Sequence, residues 1–153
     1  DALPILKGAF FFGSSLASAI FRAGGPAVGL HFVSASSYGN STRSRGRCRI
    51  AGGFEGLKGR NVLIVDDICD TGLTLSLLKS CALSAGASSV KTCVLLDKSA
   101  RRMRGEEGLV DVALFEIPGV FVAGCGLDYR ERFRNLPCVI AAGGSRRRRQ
   151  CGA

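Results

Sequence analysis

Between Asn61 and Val65 the chain carries β-branched and aliphatic residues with no polar alternation, and no other segment restricts the fold so tightly. Such a run suits a strand covered on both faces, the central strand of a parallel sheet. It leads straight into Asp66 and Asp67, with Asp70, Thr71, Gly72 and Thr74 close behind. From Thr71 the spacing of Leu73, Leu77, Leu78, Cys81, Ala82 and Ala85 predicts a helix, with Gly86 where a C-terminal cap belongs. Val90 to Leu96 reads as another buried strand. Strand, helix and strand at this spacing predict a right-handed crossover unit.

The remaining elements fit the same class. Ala2 to Leu6 predicts a strand, Gly8 a turn, and Ala9 to about Ala23 a helix ending at Gly24 and Gly25. Ala27 to Ala35 is a second apolar run that contains His31, read as a packed strand residue. Ser36 to Arg47 has no aliphatic residue and predicts a mobile loop. Arg43, Arg45, Arg47 and Arg49 recur with period two, which puts them on one face if the chain is extended there; they either extend an anionic site or form a solvated strand face. Asp111 to Ile117 and Cys138 to Ala142 read as further strands. The expectation is an α/β domain over residues 1–144, a mostly parallel twisted sheet flanked by helices.

Composition narrows the class. A content of 46% hydrophobic and 22% charged residues in 153 excludes wholesale disorder and collagen-like structure. The apolar stretch from Ala2 to Ile20 is broken by Pro4, Lys7, Gly8 and Gly13, so no membrane span is read. The net charge is +9, and four of those charges are Arg146 to Arg149 in an Arg-rich tail, residues 145–153, expected to be disordered. The rest of the chain suits a site for multiply anionic small molecules. Seven cysteines show neither paired C-x-x-C nor zinc spacing, and read as free thiols of a reducing compartment. The first residue is Asp1 rather than Met, and the chain reads as one that has lost its beginning.

In an open parallel sheet, ligands sit beyond the carboxyl ends of the strands, where helix N-termini present unpaired N–H groups. Thr71, Gly72 and Thr74 are therefore placed to hold a phosphate, with the glycine allowing close backbone approach. The segment has no G-x-x-x-x-G-K-[ST] and no G-x-G-x-x-G, so neither a nucleoside-triphosphate hydrolase nor a dinucleotide site is indicated. Adjacent carboxylates repel a phosphate and one another, so Asp66 and Asp67 need partners. Sugar hydroxyls with a hard divalent cation nearby would satisfy them. A lone Asp-Asp could equally end a strand and cap a helix.

The whole segment Val62 to Thr74 resembles the phosphoribosyl-pyrophosphate (PRPP) motif of type I phosphoribosyltransferases. Leu3-Pro-Ile-Leu-Lys7-Gly8, Ser37-Tyr38-Gly39, Leu95-Leu-Asp-Lys98 and the stretch Phe121 to Arg134 occur in the order expected of the hypoxanthine-guanine (6-oxopurine) branch. The resemblance spans about residues 3 to 142 and implies that fold. It further implies that Asp66 and Asp67 hold the ribose, that Thr71, Gly72, Leu73 and Thr74 hold the 5′-phosphate, and that Asp70 is the catalytic acceptor or general base at purine N7. Lys7, Gly8 and Arg134 would bind pyrophosphate, with a cis peptide just before Lys7. Ser37 and Tyr38 would sit on a flexible loop that closes over the reacting centre. Lys98 would donate to the purine O6, Phe121 would stack on the base, Val122 would read its edge through backbone, and Asp128 would line the purine and metal side. Asp66, Asp67 and Asp128 are the implied Mg²⁺ ligands. Outside the family pattern, Lys7 would be a turn lysine, Phe121 a core residue, and Asp128 with Arg134 a surface ion pair.

The implied activity is transfer of the phosphoribosyl group of PRPP to N9 of hypoxanthine or guanine, giving IMP or GMP and pyrophosphate in purine salvage. A homodimer or homotetramer in the cytoplasm, without membrane or nucleic-acid partners, is the family habit. The alternative is a PRPP- or nucleotide-sensing regulator of the same fold that binds RNA through basic residues, against which Lys98 and the Phe121 to Asp128 motif weigh. Two departures stand out. Asp66 occupies a position where most of the branch carries Glu, shortening the reach to the ribose by one methylene. The family also has several tens of residues ahead of the Leu3 strand, so this chain is expected to have an incomplete hood and an exposed apolar surface.

Overall fold

The computed structural model describes residues 1–38, 47–106 and 108–141. Its strands and helices run β1 (Ala2–Leu6), α1 (Phe10–Arg22), β2 (Val33–Tyr38), β3 (Arg47–Ala51), β4 (Asn61–Cys69), α2 (Leu73–Ser84), β5 (Ser89–Asp97), β6 (Val112–Glu116), β7 (Val122–Ala123) and β8 (Ile140–Ala141). Six strands form one sheet in the order β3-β2-β1-β4-β5-β6. All neighbours are parallel except β2 and β3. The expected central strand is β4, and it continues through both acids to Cys69 rather than stopping at Val65.

Alternation along the strands assigns one helix to each face. Leu3, Ile5, Val62 and Ile64 join Leu75, Leu78 and Ala82 of α2 in the larger core cluster. Ala2 and Val65 pack with Phe12 of α1 and Cys93 in the other. At Gly13 a Cβ would come within 2.9 Å of the Pro4 ring, so the missing side chain lets α1 lie close on β1. The buried face of α2 is Leu75, Leu78 and Ala82, whereas Leu73 and Leu77 of the expected stripe are exposed. That helix is apolar nearly all round, so periodicity alone could not fix which side faces the sheet.

Several boundaries differ from the sequence reading. Ser36, Ser37 and Tyr38 belong to β2 and Arg47 to β3, not to a loop, and Arg49 is likewise in β3, extended as its spacing from Arg47 allowed; Arg43 and Arg45 lie outside the described residues, as do residues 142–153 with the Arg-rich tail. Cross-strand pairing, which runs from Ser34↔Ala51 to Tyr38↔Arg47, overrides the polar composition. His31 lies outside the strands and faces Asp1, 3.4 Å away, instead of packing in the core. The expected strand at Asp111–Ile117 is β6, whose five residues are all exposed, and β8 pairs only with β7. Cys69, Cys81, Cys93 and Cys125 are free thiols. Among the described residues no helix is long and apolar enough to cross a membrane.

The amino ends of β5 and β6 are tied by a polar knot. The fully buried Thr92 donates its hydroxyl to the Leu109 carbonyl at 2.6 Å and accepts from the Asp111 N–H at 2.9 Å. Asp111 in turn accepts from the Lys91 ammonium at 2.7 Å and from the Thr92 N–H at 2.9 Å. The Lys91 hydrogen bond, aided by Thr92, holds the Asp111 carboxyl below its ordinary value. Thr92→Val strands two buried backbone groups and should cost roughly 1 to 3 kcal/mol in urea unfolding. Because the Asp111 pKa is depressed on folding, its contribution is complete above about pH 4 and is lost as pH falls through the folded value. Asp111→Asn should therefore flatten the acid limb of the stability curve.

Candidate active site

From β1 the chain winds to β2 in one direction, and from β4 through β5 to β6 in the other, so β1 and β4 are parallel neighbours at a topological switch point. The carboxyl ends of two such strands leave a crevice between diverging connections. Lys7 and Gly8 follow β1, Asp66 to Gly72 end β4 and lead into α2, and Lys98 follows β5. Three distant segments are thereby delivered to one edge of the sheet.

The crevice is closed by backbone at close quarters. The Leu6–Lys7 peptide is cis, as the resemblance implied. A Cβ on Gly8 would fall on the Asp67 carboxylate, and a Cβ on Gly126 would fall on the Gly8 carbonyl. Gly126 also sits at φ +98°, which an L side chain rarely adopts. Arg134 donates to the Gly126 carbonyl at 2.8 Å and pairs with Asp128 at 2.7 Å. Glu131 lies 3.7 Å from the Lys7 ammonium and 3.5 Å from the Arg134 guanidinium. Lys7, Gly8 and Arg134, the expected pyrophosphate group, are thus brought together around Asp67.

Two clefts flank the end of β4. One, of about 100 Å³, is lined by Asp66, Asp70, Thr71, Gly72 and Thr74. Gly72, at φ +92°, turns the chain into α2, whose first residue is Leu73. The other, of about 270 Å³, is lined by Asp67, Asp70, Lys98, Phe121, Val122 and Asp128. Every residue expected at the phosphate therefore falls on or beside the first cleft, and every residue expected at the purine falls in the second. Asp70 borders both. Lys98 is buried and lies 3.6 Å from the Asp70 carboxylate. Phe121 is half exposed and meets Tyr129 edge to face, with ring centres 5.6 Å apart.

Sequence reasoning missed two cations. Arg101 donates to Asp70 at 2.6 Å, and Arg102 is held against Asp97, the Cys69 sulfur and the Asp70 carbonyl. The adjacent Arg101-Arg102 pair after Lys98 was the available signal. Burial pushes the Cys69 thiol up to about 11, so it meets Arg102 as a neutral sulfur. Ser37 and Tyr38 stand farther out: β1 pairs with β2 only as far as Ser34, and four more residues of β2 run on with β3, roughly 13 Å past that point.

Burial, then the neighbouring Asp67 charge, pushes the Asp66 carboxyl well above its ordinary value. Burial also raises Asp67, although Asp66, backbone N–H groups and Arg134 pull the other way. Two carboxyls so placed favour any arrangement that brings donors or positive charge to them. Between α1, strands β5 and β6 and residues 135–137 lies an apolar groove of about 550 Å³ lined by Phe11, Leu16, Leu114 and Pro137 among others. Phe21 and Phe115 are also exposed. Gly8→Ala should displace the Asp67 carboxylate and lower kcat/KM for a phosphorylated sugar substrate by about tenfold or more, as small misplacements at reacting centres do. Steady-state kinetics beside a thermal melt would check it, with the melt little changed.

The phosphoribosyl transferase domain family matches residues 3–130. The hypoxanthine-guanine phosphoribosyltransferase of Bacillus subtilis (strain 168) is 41% identical over 139 residues, covering 90% of this chain and 74% of that protein. Its namesake in Leishmania donovani is 40% identical over 141 residues, covering 90% of this chain and 65% of that protein. Among solved structures, a mutant hypoxanthine phosphoribosyltransferase from Trypanosoma cruzi in a ternary substrates complex superposes with a TM-score of 0.81 at 36% identity, covering 92% of this chain and 74% of that one. The Trypanosoma cruzi enzyme in complex with the product IMP gives 0.78 at 35% identity, covering 92% and 73%. These likenesses show that the chain belongs to the phosphoribosyltransferase family, among the hypoxanthine-guanine phosphoribosyltransferases.

Proposed function

We propose that this chain transfers the 5-phosphoribosyl group of PRPP to N9 of hypoxanthine or guanine, releasing pyrophosphate and giving IMP or GMP. The observation that carries this reading is the meeting of a phosphate cleft and a base cleft at Asp70, with a basic pyrophosphate group at Gly8 and Arg134 beside them. Thr71, Gly72, Leu73 and Thr74 hold the 5′-phosphate at the amino end of α2. Asp66 and Asp67 accept from the ribose hydroxyls. Lys98 donates to the purine O6 while Phe121 stacks on the ring and the Val122 backbone reads its edge. A purine that fills the cleft between Lys98 and Phe121 lies against the anomeric carbon, so position does much of the catalytic work.

The bond from C1′ to the pyrophosphate oxygen breaks as the bond to N9 forms. Asp70 accepts the N7 proton and so raises the electron density at N9. Lys7, the Gly8 backbone and Arg134 stabilise the departing pyrophosphate. Ser37 and Tyr38, on the arm that projects past β1, are assigned to cover the reacting centre and exclude water. The three acids assigned to Mg²⁺ are not gathered into one ligand set: among the described residues no three acids, histidines or cysteines are grouped to hold a metal, Asp66 lines one cleft and Asp67 and Asp128 the other, and Asp128 pairs with Arg134. Mg²⁺ held by one or two of these carboxylates together with substrate phosphates is the arrangement that they fit. When bound it would neutralise pyrophosphate charge. Self-association into a dimer or tetramer and a cytoplasmic location complete the reading, the former supported by the exposed apolar face of α1.

Incubation of the chain with PRPP and Mg²⁺, separately with hypoxanthine, guanine, xanthine and adenine, should yield IMP and GMP and no AMP. Formation of AMP alone, or of no nucleotide, would remove the proposal. Asp70→Asn should lower turnover by at least about tenfold while PRPP still binds, the usual worth of acid-base assistance. Single-turnover rates beside calorimetric PRPP titration would measure both.

A further inference from the structure

The phosphate loop is held from behind by its carbonyls. Lys98 N–H donates to the Cys69 carbonyl at 2.9 Å, Arg102 Nη1 to the Asp70 carbonyl at 3.3 Å, and Met103 N–H to the Thr71 carbonyl at 3.0 Å. Three consecutive peptide groups are thus engaged by one short segment following β5. In a trans peptide the N–H points opposite to the carbonyl, so fixing these carbonyls on one side turns the N–H groups of Asp70, Thr71 and Gly72 to the other. Successive N–H groups facing one way make an anion-binding concavity.

Two of the three anchors come from backbone and depend little on side-chain identity. The middle one depends on the Arg102 guanidinium. Its side chain is only 9% exposed and is fixed by Asp97, itself 14% exposed, at the end of β5, with the Cys69 sulfur as a further contact. The Arg102 Cδ also lies 3.0 Å from where a Cβ on Gly72 would stand, so the arginine stem packs directly under the turn into α2. Lysine could not reproduce this arrangement, because one ammonium cannot span Asp97 and the Asp70 carbonyl as a planar fork does.

We propose that Arg102 is a positioning residue of the 5′-phosphate cradle: clamped by Asp97, it holds the Asp70 carbonyl away from the cleft and so aims the Thr71 N–H at the phosphate. The inference rests on the proposed function for its ligand. Its consequence is selective, since only ligands carrying a 5′-phosphate should sense it. A role confined to stability would weaken nucleotide and nucleoside alike.

Binding of IMP and of inosine, which lacks the phosphate, would be measured calorimetrically on the parent chain, on Arg102→Gln, and on the double variant Asp97→Leu with Arg102→Met. The double variant removes both buried charges together and so avoids stranding one of them. In each folded variant IMP affinity should fall about tenfold, the worth of a hydrogen bond to a charged group, while inosine affinity stays within about twofold. KM for PRPP should rise by a similar factor with kcat nearly kept, as expected for uniform binding lost far from the reacting bond. IMP binding unchanged in the variants, or IMP and inosine weakened equally, would overturn the assignment of Arg102 alone. A parent chain that binds no IMP would instead remove the functional reading on which it stands.

Discussion

The close approach of the Gly8 backbone to the Asp67 carboxylate is the contact on which the rest of the site depends. It requires β1 and β4 to be parallel neighbours with diverging exits, and it requires a residue without a side chain at position 8. Gly126 then extends the same stack by approaching the Gly8 carbonyl, bringing in the segment that carries Asp128, Glu131 and Arg134. A site assembled in this way gains its geometry from main chain and absent Cβ atoms. Side chains enter afterwards, into positions the backbone has already fixed.

The electrostatics follow from that packing. Burial at the end of β4 makes the charged forms of Asp66 and Asp67 costly, and the two acids repel one another. Cations are nonetheless close by: Arg134 beside Asp67 and Asp128, Lys98 and Arg101 beside Asp70, Arg102 behind the loop. The basic excess of the chain is therefore concentrated in part around its acids. Such interleaving suits a substrate with hydroxyls at its centre and phosphates at both ends, because neither sign of charge could hold it alone.

Much of this was legible in the sequence because β4 carries the apolar run Val62 to Val65 and leads into an unusual set of polar residues. A strand buried on both faces leaves little freedom in where its final acids can stand. The order of Lys7-Gly8, Asp66 to Thr74, Lys98 and Phe121 to Arg134 likewise survives in space, since each follows a strand or lies in the closing segment. What escaped was set by tertiary contact. The β2–β3 arm has no aliphatic pattern after Ala35, yet strand pairing orders Ser36 to Tyr38. The face of α2 was ambiguous because apolar residues surround it, and only the sheet decides that Leu75, rather than Leu73 or Leu77, is inside. Arg101 and Arg102 belong to no motif, and only the turn after β5 places them against Asp70 and Cys69.

The segment from Lys98 to Met103 shows why a local reading could not suffice. Its first residue lines the larger cleft through a side chain, while its backbone and Arg102 engage the loop that borders the smaller one. One short segment therefore reaches both clefts. Lys98, Arg102 and Met103, which hold the Cys69, Asp70 and Thr71 carbonyls, thus belong to the same segment as the Lys98 ammonium in the larger cleft. If occupancy of one cleft raises the affinity of the other by ordering this segment, occupancy of the second raises the affinity of the first by the same factor, because coupling between two binding equilibria is reciprocal. A short connection after β5 thus links the two clefts physically across the end of β4.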